Sequence, residues 1–354
     1  MFFSMKNEVT KARSYCEASG SFQLNYQMTS ESLGKGTFGK VCKAVSLRNG
    51  KDCAVKVVHL GSEDGTLDEK TVEEARQEEH IMHRVGRHEH CVALLETFSD
   101  LTSQRFYFVM ERCGASLMDS ADYVLTCEDD IFGGLVRDMA KALAHVHKKG
   151  IIHRDIKPDN LLFGDEERRT LKLCDFGLSV AASKSQNLPG RFGTMPYMSP
   201  EMAASAGHCF STDVWSLGAT LYVLIFGDLP YRPPKMCREH LKMAIITGCL
   251  RPSFQPSIRA NLMPRAASLV DLVKQMLSRD RSTRPTAARV LTAVLKPGSS
   301  TRTSRVQQAF CTAPGKLKTA LHLKVHFGCW KAQKSEDEDD VLGKDTQFAR
   351  AVTY

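Results

Sequence analysis

The sequence predicts an α+β chain of two lobes: a small antiparallel sheet lobe carrying one major helix, then a larger, mainly helical lobe. Three observations carry this. Short strand-like pieces separated by glycine turns crowd the stretch from Tyr26 to Met110. Apolar residues at helical spacing dominate from Asp130 onward. At 354 residues, with 42% hydrophobic and 25% charged side chains, the chain is long and apolar enough for two lobes with separate cores.

Residues 1–25 are polar and weakly patterned and read as an extension. From Tyr26 a glycine-rich turn, Gly34-Lys35-Gly36-Thr37-Phe38-Gly39-Lys40-Val41, separates two strands. Strand-like pieces Val41 to Val45 and Cys53 to Leu60 are joined through the turn residues Asn49-Gly50. A polar loop, Gly61 to Glu69, leads into a helix whose inward stripe is Val72, Ala75, Glu78, Met82 and Val85. Two more strands are expected at Cys91 to Phe98 and Arg105 to Met110. Beyond Cys113 the clearest helices are Asp130 to Lys148, Val214 to Phe226 and Ala266 to Leu277. Patterning fades after Val294, and Pro297-Gly298-Ser299-Ser300 marks a boundary. The expected organisation is therefore an extension (1–25), a folded region (26–294) divided into lobes 26–113 and 114–294, and a flexible tail (295–354).

A net charge of +8 accords with an anionic ligand such as a nucleotide and does not require a nucleic-acid partner. The 12 cysteines include no C-x-x-C pair, so a zinc site or a redox motif has no support, and free thiols in a reducing compartment are expected. Met1-Phe2-Phe3-Ser4-Met5-Lys6 lacks the pattern of a signal peptide, and Phe2 stands where myristoylation needs glycine. The longest apolar run, Leu221 to Phe226, is far short of the ~20 residues that cross a bilayer. A soluble intracellular protein, cytoplasmic or nuclear, with no membrane contact is expected.

Several patterns carry chemistry. A glycine-rich turn lets backbone N–H groups approach phosphate oxygens closely, although glycine hairpins are also common without that use. The turn here does not follow G-x-x-x-x-G-K-[ST], which disfavours the NTPases built on that loop. In Ala54-Val55-Lys56 a lysine interrupts an apolar strand. It either points to water from an edge or, if buried, needs an anion and a counter-charge. Glu78 lies on the inward helical stripe and is the preferred partner; Glu79, one residue on, is turned away by about 100°. In His153-Arg154-Asp155-Ile156-Lys157-Pro158-Asp159-Asn160, Asp155 is able to accept a hydroxyl proton, Lys157 to neutralise a phosphoryl group, and Asn160 to ligate Mg²⁺. Cys174-Asp175-Phe176-Gly177 adds a second hard oxygen ligand in Asp175. A lone H-R-D occurs in surface turns; both segments in this order, downstream of the glycine turn and the strand lysine, do not arise by chance.

With these motifs the chain resembles the eukaryotic protein kinase family over roughly Tyr26 to Val294. The resemblance implies Asp155 as the catalytic aspartate and Lys157 as an aid to the γ-phosphate of ATP, with Asn160 and Asp175 holding Mg²⁺ and Lys56, paired with Glu78, on the α/β-phosphates. It implies the glycines Gly34, Gly36 and Gly39 over the phosphates, and adenine between Leu33, Val41, Ala54 and Leu162. The adenine edge would face the backbone of Glu111 and Cys113, with Met110 as gatekeeper. Gly193-Thr194 and Met198-Ser199-Pro200-Glu201 resemble the end of an activation loop, Thr194 contributing to catalysis and Glu201 pairing with Arg284. Asp213 in Asp213-Val214-Trp215-Ser216-Leu217-Gly218 would brace the catalytic loop. Lys157 and Thr194 point to the serine/threonine branch, and the overall phrasing to the calcium/calmodulin-dependent group.

The expected partners are protein substrates. An ATP-binding scaffold without catalysis is the rival reading. Arg154 suggests a loop ordered by phosphate, yet Gly190 stands where many relatives carry the phosphorylated residue, leaving either Ser183 or Ser185 as the activating site or no phosphorylation requirement. Ser116 replaces an acid common in arginine-directed kinases, leaving Asp159 as one carboxylate nearby. Cys174 is read as a small residue lining the pocket. In the tail, Leu321 to Phe327 alternates like a strand, while Lys316, Lys318, Leu321, Val325, Trp330, Lys331 and Lys334 resemble a calmodulin-target segment interrupted by Gly328. The run Glu336 to Asp340 reads as a solvated acidic stretch.

Overall fold

Period-two burial organises the first lobe around one sheet. The computed structural model describes residues 21–36, 39–62, 65–164, 167–255 and 264–295. A helical turn, α1 (Phe22–Asn25), enters β1 (Tyr26–Lys35), followed by β2 (Lys40–Ser46) and β3 (Asp52–His59). Helix α2 (Glu69–Val85) precedes β4 (Leu94–Asp100) and β5 (Arg105–Glu111). The five strands pair antiparallel in the order β1-β2-β3-β5-β4. On β3, Cys53 and Val55 join Phe22, Tyr26, Phe98, Tyr107 and Val109 on one face. The alternate residues Ala54 and Lys56 therefore face the other way, towards α2 and the second lobe.

Helix α2 is capped by the Asp68 side chain, which accepts from the Lys70 N–H, and ends at Gly86 with φ of 68°. It buries Ala75, Glu78, Ile81, Met82 and Val85, which adds Ile81 to the stripe read from sequence.

The second lobe contains α3 (Ala121–Thr126), α4 (Asp129–Lys148), β6 (Ile151–Ile152), β7 (Leu161–Phe163), β8 (Leu171–Leu173) and β9 (Val180–Ala181). It continues with α5 (Pro200–Ala203), α6 (Ser211–Phe226), α7 (Arg238–Thr247), α8 (Pro264–Met276) and α9 (Ala287–Leu295). Helix α6 is buried from Thr212 to Ile225, so it is enclosed all round rather than on one stripe. Short ladders β6–β9 and β7–β8 form the floor of the cleft beneath the sheet.

Two expectations change. The strand expected from Cys91 begins at Leu94, because the Val92 N–H donates to the Leu173 carbonyl and the Leu173 N–H donates to the His90 carbonyl. That pairing ties the stretch before β4 to β8 in the other lobe. The extension does not run to residue 25 without structure either. Phe22 is 3% exposed and stacks on Tyr107 with centroids 4.3 Å apart, so α1 belongs to the first lobe. Among the described residues no helix is long and apolar enough to cross a membrane. The boundary at 297–300, the candidate calmodulin segment, the acidic run 336–340, residues 1–20, Thr37 and Phe38 lie outside the described residues.

Phe22→Ala should cost about 3 kcal/mol, the usual range for deleting a buried aromatic ring. Urea unfolding of the full chain checks this; a midpoint equal to that of the parent would separate α1 from the lobe.

Candidate active site

Neighbouring strands bring the predicted residues to one face of the sheet. Val41 is paired with Lys56, and Ala54 with Met110. Directly opposed residues share a face, so Val41, Ala54, Lys56 and Met110 line the same side. Leu33 is 36% exposed, just before Gly34, which pairs with Val41. The turn closes with the Gly36 N–H donating to the Gly39 carbonyl at 2.8 Å. A Cβ at Gly39 would lie 2.1 Å from the Val57 carbonyl oxygen, and one at Gly36 would lie 3.2 Å from Lys56 Cε. The turn therefore sits directly over the lysine only because these positions lack side chains.

Lys56, 2% exposed, donates to both oxygens of Glu78 (2.7 and 2.9 Å) and to Asp175 Oδ1 (3.2 Å). Burial works to lower the Lys56 ammonium, but the charges of Glu78 and Asp175 outweigh it and hold it above its usual range. Glu79 instead accepts from the Thr97 hydroxyl, as its place on the helix requires. Phe176, 1% exposed, packs edge-on to His153 with centroids 5.1 Å apart, which turns Asp175 towards the cleft.

The loop from His153 to Asn160 is fixed from below. The buried Asp213 carboxylate accepts the N–H groups of His153 and Arg154, both at 2.8 Å, and pairs with His147 Nε2 at 2.9 Å. Above it, Lys157 Nζ donates to Asp155 Oδ2 at 2.7 Å and to Thr194 Oγ1 at 2.8 Å. The Thr194 hydroxyl donates to Asp155 Oδ1 at 2.8 Å. The Asn160 amide nitrogen donates to the Asp155 carbonyl at 2.8 Å and to Asp155 Oδ2 at 3.2 Å. Its orientation turns the Asn160 amide oxygen away from Asp155. An amide oxygen and the Asp175 carboxylate are hard donors of the kind Mg²⁺ takes, so this set fits that ion. Gly193, at φ of 96°, is needed beside the loop: a Cβ there would lie 2.3 Å from the Arg154 carbonyl oxygen.

The hinge is tied to the stretch before β4. The Glu111 N–H donates to the Ala93 carbonyl at 3.0 Å and is therefore already engaged. Its carboxylate turns backward, accepting from the Ala93 N–H at 2.7 Å and from Lys172 Nζ at 3.0 Å. Gly114 bonds to the Phe163 carbonyl, and Ser116 bridges to Leu162, which sets Leu162 below the hinge. Burial pushes the Cys113 thiol up to about 12, and burial, then the Asp175 charge, raises the Cys174 thiol well above its ordinary range, so both are weak nucleophiles. The Ser116 hydroxyl donates to Asp119 Oδ2 at 2.7 Å, a carboxylate three residues from the position where an acid was sought.

The structure thus gathers Lys56, Glu78, Asp155, Lys157, Asn160, Asp175 and Thr194 into one linked set. Sequence reading missed His147, Lys172 and Phe192; the helical phase of α4 could have offered His147, while the other two have no local signal. At the far end, Arg284 makes a paired contact with Glu201 at 2.6 and 2.8 Å and lies 4.9 Å from the Trp215 ring centre.

A family model described as protein kinase domain matches residues 27–295. The chain is 31% identical over 265 residues to serine/threonine-protein kinase PEPKR2 of Arabidopsis thaliana, covering 73% of this chain and 51% of the relative. It is 32% identical over 265 residues to CBL-interacting protein kinase 11 of Oryza sativa subsp. japonica, covering 73% and 49%. CDPK-related kinase 1 of Arabidopsis thaliana is 30% identical over 285 residues, covering 77% and 46%. The chain spans about half the length of these curated relatives.

Burial raises the Glu201 carboxyl, but its hydrogen bonds and charge contact with Arg284 prevail and hold it below its ordinary value of 4.5. A depressed carboxyl stabilises above its unfolded value and loses that contribution as pH falls through its folded one. Glu201→Gln leaves Arg284 buried without its anion, so it should cost about 3 kcal/mol at neutral pH. Denaturant titrations across pH should show the gap from the parent closing below pH 4.5. A gap that stays constant into acid would mean the pair contributes nothing through its charge.

Proposed function

The chain belongs to the protein kinase family, on its serine/threonine branch, and from that premise we propose that it transfers the γ-phosphate of Mg·ATP to serine or threonine hydroxyls of other proteins. The observation that carries this is the closed triangle of Asp155, Lys157 and Thr194. It fixes a carboxylate as a hydroxyl acceptor beside a half-buried cation. The folded catalytic unit is residues 26–294, with α1 added to its first lobe; 26–113 supply the nucleotide's roof and hinge, and 114–294 the catalytic loop.

In this reading adenine lies between Leu33, Val41, Ala54 and Leu162, beside Met110, with its polar edge on the Glu111 carbonyl and the Cys113 backbone. Gly34, Gly36 and Gly39 cover the phosphates, and Lys56, held in place by Glu78, draws their oxygens into line. Asn160 and Asp175 would hold Mg²⁺, whose charge, when bound, offsets that of the phosphates. Asp155 orients the substrate hydroxyl and takes its proton as the oxygen bonds to the γ-phosphorus and the bond to the β-phosphate oxygen breaks, releasing ADP. Lys157 neutralises charge on the moving phosphoryl group. Most of the catalysis is positioning of two reactants that the fold holds still.

Incubation of the full chain with Mg·[γ-³²P]ATP and generic protein substrates should give phosphoserine or phosphothreonine. Asp155→Asn, which keeps shape but removes the proton acceptor, should lower kcat at least about 100-fold. Thermal-shift binding of Mg·ATP with no transfer by either protein would instead favour a nucleotide-binding scaffold. Equal transfer by both would remove Asp155 from the reaction.

A further inference from the structure

Arg154 lies directly before Asp155, and its guanidinium is buried enough to bring its pKa down to about 10, despite the opposing charge of Asp213. A buried cation ordinarily requires an anion. Among the described residues no carboxylate pairs with this guanidinium. Its Nε donates to the Leu178 carbonyl, and the Phe192 ring covers it with the centroid 3.8 Å away. Asp213, the charge nearest in effect, is already bonded to His147 and to two backbone N–H groups.

The ring fits closely against its surroundings. No water-sized space remains among Arg154, Phe192, Met202 and Thr212. A Cβ at Gly190 would come 2.6 Å from Phe192 Cε2, so the ring occupies the room a side chain at that position would need. His208 is fully buried edge-on to the ring at 5.8 Å. Burial, and then the Arg154 charge, hold His208 below the usual histidine range.

We infer that Phe192 is a positioning residue whose ring face takes the place of an anion on Arg154, holding the segment from Leu188 to Thr194 against the catalytic loop without phosphorylation. An aromatic face attracts a guanidinium through its quadrupole, and the attraction strengthens when water is excluded. The rest of the segment is held by other contacts. Leu188 and His208 exchange backbone hydrogen bonds at 2.8 and 2.9 Å, and Arg281 donates to Asn187 at 2.9 Å and to the Gly207 carbonyl at 3.2 Å. Two residues beyond the ring, Thr194 completes the triangle with Asp155 and Lys157. Displacing the ring therefore loosens the segment that supplies Thr194.

The kinetic part of this inference rests on the phosphotransfer reading; the ordering of the segment does not. The test uses the full chain, phosphatase-treated and shown by intact mass to carry no phosphate, as parent, Phe192→Ala, Phe192→Leu and Phe192→Tyr. Amide hydrogen exchange over 188–194 and ³²P transfer are read together. Unphosphorylated parent and Phe192→Tyr should keep the segment protected and transfer at the untreated rate. Phe192→Ala and Phe192→Leu should exchange faster and lose about thirtyfold in kcat, the scale of a desolvated cation–π contact. Leu keeps the apolar bulk, so Leu matching Tyr in both readouts would overturn the inference, as would loss of protection or activity on dephosphorylation of the parent. Protection that depends on the aromatic ring, with no transfer by any form, would uphold the ordering and refute the phosphotransfer reading.

Discussion

The loop from His153 to Asn160 is suspended from one buried carboxylate. Asp213 stands on α6, a helix enclosed on every side, and so cannot shift without disturbing the core of the second lobe. Its two oxygens collect two consecutive backbone N–H groups and one imidazole. These bonds hold Arg154 at φ of 69°, a left-handed conformation that costs a non-glycine residue about 1 kcal/mol or more. Asp155 is the next residue, so the aim of its carboxylate follows from that enforced turn. The charge that orients the site is therefore not in the site; it lies one layer below, where solvent does not reach it.

A second constraint runs across the cleft. Lys56 on the sheet, Glu78 on α2 and Asp175 from the second lobe meet at one ammonium group. Three elements with different anchors are thus brought to a common point, and the Lys56–Glu78 contact is strong because both groups are withdrawn from water, with Asp175 partly so. Around this point the motif residues are linked rather than merely adjacent. Asn160 and Lys157 both touch Asp155, Thr194 touches Asp155 and Lys157, and Cys174 beside Asp175 bonds back to the Asn160 carbonyl.

Much of this was legible before the structure because it is written in local patterns. The strand lysine, the choice of Glu78 over Glu79, and the two aspartate segments follow from residue type and helical phase, and the structure places all of them together. Contacts decided by tertiary packing were not legible. Nothing near Phe192 in the chain announces that it covers Arg154, and nothing near Lys172 announces Glu111. The strand expected from Cys91 started late because its first residues pair with β8, a partner 80 residues on that no local period reveals. Phe22 was missed for a similar reason: its short polar neighbours hide a residue whose partners, Tyr107 and Phe98, lie far along the chain.

The pairing of His90 and Val92 with Leu173 has a mechanical consequence. The covalent connection through Met110 to Gly114 is one attachment between the lobes, and this pair of backbone hydrogen bonds is another. Helix α2 adds two more, Arg84 donating to the Lys149 carbonyl and His145 Nε2 meeting the Val85 carbonyl. The lobes are thus stitched together along several seams behind the cleft, and sliding one over the other would have to break bonds at each seam at once.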